Sequence, residues 1–109
     1  MPYDTQLASR VEKVLKGRKG ITSKKMFGGL AFLADGNMSC GIIGDKLVVR
    51  VDKGDYQQLL KRKNITPMDF TGRPLTGYIY VMPGGTRTDA ALRGWVLRGM
   101  EFARTLPPK

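Results

Sequence analysis

The feature that most narrows the fold of this chain is the alternation, between Ile21 and Val51, of apolar runs with glycine-bearing breaks. Leu30-Ala31-Phe32-Leu33, Met38 to Ile43 and Lys46-Leu47-Val48-Val49-Arg50-Val51 are separated by Ala34-Asp35-Gly36-Asn37 and by Gly44-Asp45. Asp-Gly between two β-prone runs favours a tight hairpin, because both central residues of such a turn need positive φ. The stretch therefore predicts a β-meander. Upstream, Ile21 to Phe27 runs into Gly28-Gly29. The pair reads as a bulge or sharp bend within a first long strand, since glycine in a strand pattern usually marks one.

Helical periodicity frames this β region. From Asp4 to Lys16 the residues Leu7, Val11, Val14 and Leu15 recur at i, i+4, i+7 and i+8, which predicts an amphipathic helix capped by Asp4 and ended by Gly17. A short helix is predicted after Asp52 as N-cap, with Leu59 and Leu60 inward, ending near Asn64. Pro67, Gly72 and Pro74 break the following stretch into one short strand and a turn. Tyr78 to Met82 is a β run ended by Pro83-Gly84-Gly85, and a last helix, capped by Thr88 or Asp89, carries Leu92, Trp95, Val96, Gly99, Phe102, Ala103 and Leu106 until Pro107-Pro108. The predicted order is α-β-β-β-α-β-β-α. The fold class is α+β, two layers, with helices set around an antiparallel sheet.

The length of 109 residues, 41% of them hydrophobic, suits one domain spanning residues 1–109, which buries roughly 60 to 70% of its unfolded surface. The chain has no histidine and one cysteine, Cys40. That removes imidazole-based triads, the HExxH helix, zinc fingers and internal disulfides. No cofactor, metal site or catalytic residue is expected, and the chain reads as non-enzymatic. Cys40, central in its strand, reads as a small buried hydrophobe. Residues 1–20 carry no apolar core of signal-peptide length and no window reaches a membrane span, so a cytoplasmic location and no membrane partner are expected.

Lys and Arg number 19 against 9 Asp and Glu, a net charge of +10. Such a balance favours polyanionic partners without specifying a site. The excess is dense in the first helix and just beyond, where Arg10, Lys13, Lys16, Arg18 and Lys19 are candidate nucleic-acid contacts forming one basic surface. No helix-turn-helix, zinc site or RNP-type strand supports reading of bases. Trp95 with Tyr78 and Tyr80 is open to two readings, a base-stacking surface beside Arg93 and Arg98, or a core anchor of the last helix.

Two further motifs are open to two readings each. Met26-Phe27-Gly28-Gly29 either exposes backbone N–H groups to an anion or peptide or lets the strand bend with Met26 and Phe27 packed inside. Asp69-Phe70-Thr71-Gly72-Arg73-Pro74 is either a ligand site or a turn in which Arg73 pairs with Asp69.

The ordered segments Lys25-Met26-Phe27-Gly28-Gly29-Leu30-Ala31-Phe32, Gly36-Asn37-Met38, Leu47-Val48-Val49-Arg50-Val51 and Pro67-Met68-Asp69-Phe70-Thr71-Gly72-Arg73-Pro74, with Trp95-Val96 and Ala103-Arg104, carry a resemblance. Together they resemble the N-terminal domain of the TfoX (Sxy) family of competence regulators over nearly the whole chain. The resemblance implies an α+β fold of the secretion-chaperone-like kind and a link to transcriptional regulation of DNA uptake in bacteria. The expected role is a protein-interaction module in competence and transcription regulation, with a partner in the transcription machinery. The alternative is a sequence-tolerant nucleic-acid-binding module using the basic first helix. Sheet edges, and the Tyr78 to Met82 strand only partly covered by short helices, further predict a two-fold homodimer.

Overall fold

The computed structural model describes residues 3–26, 28–69, 72 and 75–108. Helix α1 (Thr5–Leu15) is followed by strands β1 (Ile21–Met26), β2 (Gly29–Ala34), β3 (Asn37–Ile43) and β4 (Lys46–Arg50). Helix α2 (Lys53–Leu59), strands β5 (Ile65–Pro67) and β6 (Tyr78–Val81), and helix α3 (Asp89–Arg104) complete the chain. The six strands form one sheet in the order β1-β2-β3-β4-β6-β5, with every neighbouring pair antiparallel. The α+β class holds, and so does the succession of helices and strands, except that the first long strand counts as two, giving α-β-β-β-β-α-β-β-α. The long first strand does not merely bend at the glycine pair; it folds back, and Met26 pairs with Gly29 as β1 and β2 run antiparallel.

The two glycines serve that reversal for different reasons. Gly28 sits at φ +72°, a left-handed conformation that costs a side-chain-bearing residue strain, with open space around it. Gly29 has no such φ, but a Cβ there would be driven into the backbone carbonyl of Ile42 on β3. Downstream, Ala34 pairs with Asn37 across Asp35 (φ +52°) and Gly36 (φ +84°), the doubly left-handed turn that Asp-Gly favours.

Capping explains where the helices begin. Asp4 Oδ1 accepts from the N–H groups of Gln6 (2.9 Å) and Leu7 (3.1 Å), Asp52 Oδ1 from Gly54 (2.7 Å), and Thr88 Oγ1 from Ala91 (3.1 Å). Each bond satisfies an amide that the first helical turn leaves without a partner.

Alternate strand residues Phe32, Cys40, Ile42, Leu47, Val49, Ile79 and Val81 point to one face of the sheet. There they form a single core with Leu7, Val11 and Leu15 of α1, Tyr56 and Leu59 of α2, and Leu92, Val96, Met100 and Ala103 of α3. The opposite face buries far less: Val48, Tyr80 and, from the segment after β5, Met68. All three helices therefore pack on one side. Within β3, Phe32 pairs with Cys40 and Leu33 with Met38, so Ser39 is the extra residue of a bulge. Its hydroxyl donates to Phe32 O at 2.9 Å, and Gly99 of α3 lies over its carbonyl so closely that a Cβ would collide with it.

The sheet order also alters the ground for self-association. The strand beginning at Tyr78 lies between β4 and β5, with Ile79 and Val81 under the helices and Tyr78 half-buried on the other face. The true edges are β1, which exposes Lys24 and Lys25, and β5, which is three residues long and ends in Pro67. Lysines, brevity and proline all oppose pairing with a strand of another chain.

The hairpin account predicts two separable effects in urea denaturation. Replacing Gly28 with Val should cost about 1 to 2 kcal/mol of stability through strain, while Asn, which visits the left-handed region readily, should recover most of it. Gly29→Ala should cost about 1 to 3 kcal/mol because the neighbouring strand must move. Equal tolerance of Val and Asn at position 28 would contradict the hairpin geometry.

Candidate interaction surfaces

The basic residues of the first helix and just beyond it differ in their contacts. Arg10 is part of the fold: its Nη2 donates to Thr86 O at 2.8 Å and lies 3.3 Å from Asp89 Oδ1, tying α1 to the start of α3. Arg18 Nε donates to Val14 O at 3.2 Å, occupying a carbonyl at the end of α1. Lys13, Lys16 and Lys19 project into solvent, and the backbone carbonyl of Lys19 accepts from Arg104 on α3.

Met26 is half-buried at the end of β1, Gly28 is exposed and Gly29 is buried; Phe27 lies outside the described residues. Asp69 is exposed, and its carbonyl accepts from Gly72 N at 2.9 Å. The expected pairing of Asp69 with Arg73 involves a residue outside the described ones. Asp69 instead borders a hollow of about 520 Å³ with Lys46, Thr66, Gly72, Tyr80 and Met82. Burial, reinforced by the Asp69 carboxylate, raises the Tyr80 phenol above its ordinary value.

That hollow belongs to the open face of the sheet. Lys46 Nζ stands 5.4 Å over the Tyr80 ring, and the Arg50 guanidinium 5.5 Å over the Tyr78 ring. Around them Met38, Ile43, Tyr78 and Met82 are only half-buried. An apolar floor with aromatic rings under cations is thus turned outward.

A second surface lies along the outside of α3. Trp95 is not a fully buried anchor; it sits half-exposed at the rim of the core with the guanidinium of Arg62 at 5.0 Å and that of Arg98 at 5.7 Å from its ring. It is on the helical layer, so it does not join Tyr78 and Tyr80, whose side chains belong to the other face of the sheet. Neither the Arg62 stack nor the cation-capped tyrosines is visible in periodicity, because their partners come from distant segments.

The family model of the TfoX N-terminal domain matches residues 13–103. The chain belongs to the TfoX N-terminal domain family. No curated protein and no solved structure matches it. The matched stretch runs from within α1 almost to the end of α3, so it contains the whole sheet and both outward surfaces of this TfoX N-terminal domain. The family points to a regulatory role of the competence type. No helix among the described residues is long and apolar enough to cross a membrane.

Cys40 is fully buried, and burial pushes its thiol up to about 12, against a weaker opposing effect of the Ser39 hydroxyl. A thiol held neutral is a poor nucleophile. Because the folded value exceeds the ordinary 9.0, the stability that this thiol contributes is complete below about pH 9 and declines as pH rises from 9 towards 12. A disulfide-exchange reagent at pH 8 should label Cys40 only as fast as the protein unfolds; rapid labelling of the native state would contradict its burial.

The two roles of the basic helix can also be separated. Arg10→Ala should lower stability by about 1 to 2 kcal/mol through loss of a charge-assisted bond to a carbonyl. Lys13→Ala should leave the melting curve in place. Equal effects would show that Arg10 does not hold α1 to α3.

Proposed function

We propose that this domain is a non-enzymatic protein-interaction module in the regulation of competence and transcription. In this reading it works as a homodimer and receives a protein partner of the transcription machinery on the open face of the sheet. The observation that supports the reading most is that face itself, where half-buried Met38, Ile43, Tyr78 and Met82 surround rings covered by Lys46 and Arg50. Apolar side chains left between cations suit a partner that offers apolar groups flanked by carboxylates. Unbranched methionines adapt to partner shape at little cost.

In the nucleic-acid alternative, Arg10 and Arg18 are held in place by bonds to backbone carbonyls while keeping their charge. With the exposed Lys13, Lys16 and Lys19 and the exposed run Lys61-Arg62-Lys63, that alternative amounts to sequence-tolerant, salt-sensitive attraction to phosphates.

The test is made in the native cell. A Met38→Glu, Ile43→Glu double variant should abolish transcription of DNA-uptake genes while the purified protein still melts cooperatively, because neither side chain lies in the main core. Loss of that transcription on reversing Lys13 and Lys16 to Glu, with the Met38 and Ile43 variant fully active, would overturn the reading in favour of nucleic acid.

A further inference from the structure

Two glycines of α3 differ in a way that the fold of one chain does not account for. Gly99 is required where the helix meets Ser39, but Gly94, also well inside the helix, is exposed, and a Cβ there would meet nothing within 4 Å among the described residues. Glycine inside a helix costs about 0.5 to 1 kcal/mol relative to alanine, and packing within this chain returns nothing at Gly94. The position borders two adjoining hollows along the outer side of α3. One, of about 290 Å³, is floored by Ala90, Ala91 and Gly94 and carries Trp95 with Arg62 and Arg98. The other, of about 570 Å³, carries Asp52, Asp55 and Glu101. Arg98 lies on the boundary and borders both, with Asp55 Oδ2 at 3.9 Å from its Nη1.

The groove is thus cationic and aromatic at one end and acidic at the other. Three of the chain's nine carboxylates gather there on a molecule of net charge +10. A two-fold axis running in the interface plane and across α3 reverses the helix direction while keeping α2 on the same side. It therefore sets the acidic end of each groove against the cationic end of the other. Both sheet edges oppose strand pairing, so two copies meet through a face, and the outer face of α3 is the one whose charges complement themselves under a two-fold axis. We propose that the outer face of α3 is the self-association surface. Two copies pack with their α3 helices antiparallel, the Arg62–Arg98 end of each groove facing the partner's Asp52, Asp55 and Glu101. Small residues at positions 90, 91 and 94 let the helices approach closely. This inference rests on the dimer reading above but not on the partner assigned to the sheet face.

The groups involved are exposed, so charge reversal leaves the fold intact, which a thermal melt of each variant checks. The unmodified chain should sediment at twice its 12.1 kDa at micromolar concentration. Arg62→Glu with Arg98→Glu makes the groove wholly acidic, and Asp55→Lys with Glu101→Lys makes it predominantly basic, Asp52 being kept because it caps α2. Each variant alone should sediment as a monomer, and an equimolar mixture should recover the dimer and shift the emission of Trp95, the chain's single tryptophan. A dimer that survives both reversals overturns the surface while leaving the dimer reading standing. A monomer at every concentration overturns both. A monomer whose Trp95 emission responds to added polyglutamate assigns the groove to a foreign acidic chain and likewise overturns the proposal.

Discussion

Gly99 brings α3 so close to the Ser39 carbonyl that no side chain fits between them, and the seating of the helical layer on the sheet depends on that contact. The bulge at Ser39 inserts an extra residue into β3, its hydroxyl is satisfied by Phe32 O, and Gly99 lets α3 descend onto it without a side chain in between. At that distance Leu92, Val96, Met100 and Ala103 reach Cys40, Ile42, Leu47 and Val49 in one core. Interiors pack densely enough that a methyl group at such a point must displace backbone rather than fill space. Once α3 is seated, α1 follows, because Arg10 reaches the carbonyl of Thr86 just before the helix begins.

This arrangement is one-sided, and the two surfaces left over follow from it. An antiparallel sheet with helices on one face commonly turns polar residues to the other, but the second face of this one carries half-buried Met38, Ile43, Tyr78 and Met82. Here cations mitigate that exposure by standing over Tyr78 and Tyr80, which shields the rings yet leaves a boundary that a partner can complete. On the helical side, α3 is 16 residues long but buries only one stripe, so its outer face, with α2 beside it, is free to carry charge of both signs.

Much of the fold was legible because its signals are local. Asp4, Asp52 and Thr88 announce helix starts through a side chain that bonds the next turn, and Asp35-Gly36 announces a hairpin through its φ requirement. The glycine pair at 28 and 29 reads as a bend rather than a reversal because glycine within a strand pattern usually marks a bulge, and Thr22-Ser23-Lys24-Lys25 carries no alternation to show a separate strand. As an edge strand it is exposed along most of its length, so no periodicity is imposed on it. The position of β5 outside β6 was equally hidden, since strand order depends on a crossover and not on the composition of either strand. Of the candidate sites, the cations of α1 were visible as a cluster but their uses were not. A bond from Arg10 to a carbonyl 76 residues away leaves no trace in spacing. The same holds for Trp95, whose helical periodicity fits both a buried anchor and a rim position under Arg62.

The central claim is that the core occupies one face of the sheet and leaves the other accessible, and the methionines report on both faces at once. Methyl NMR with a soluble paramagnetic probe, at a concentration low enough to keep partners off, compares them directly. Met38 and Met82 on the open face should broaden strongly, while Met100 beneath α3 and Met68, which is 1% exposed, should stay sharp. Protection of Met38 and Met82 equal to that of Met100 would show a sheet covered on both faces and would contradict the account.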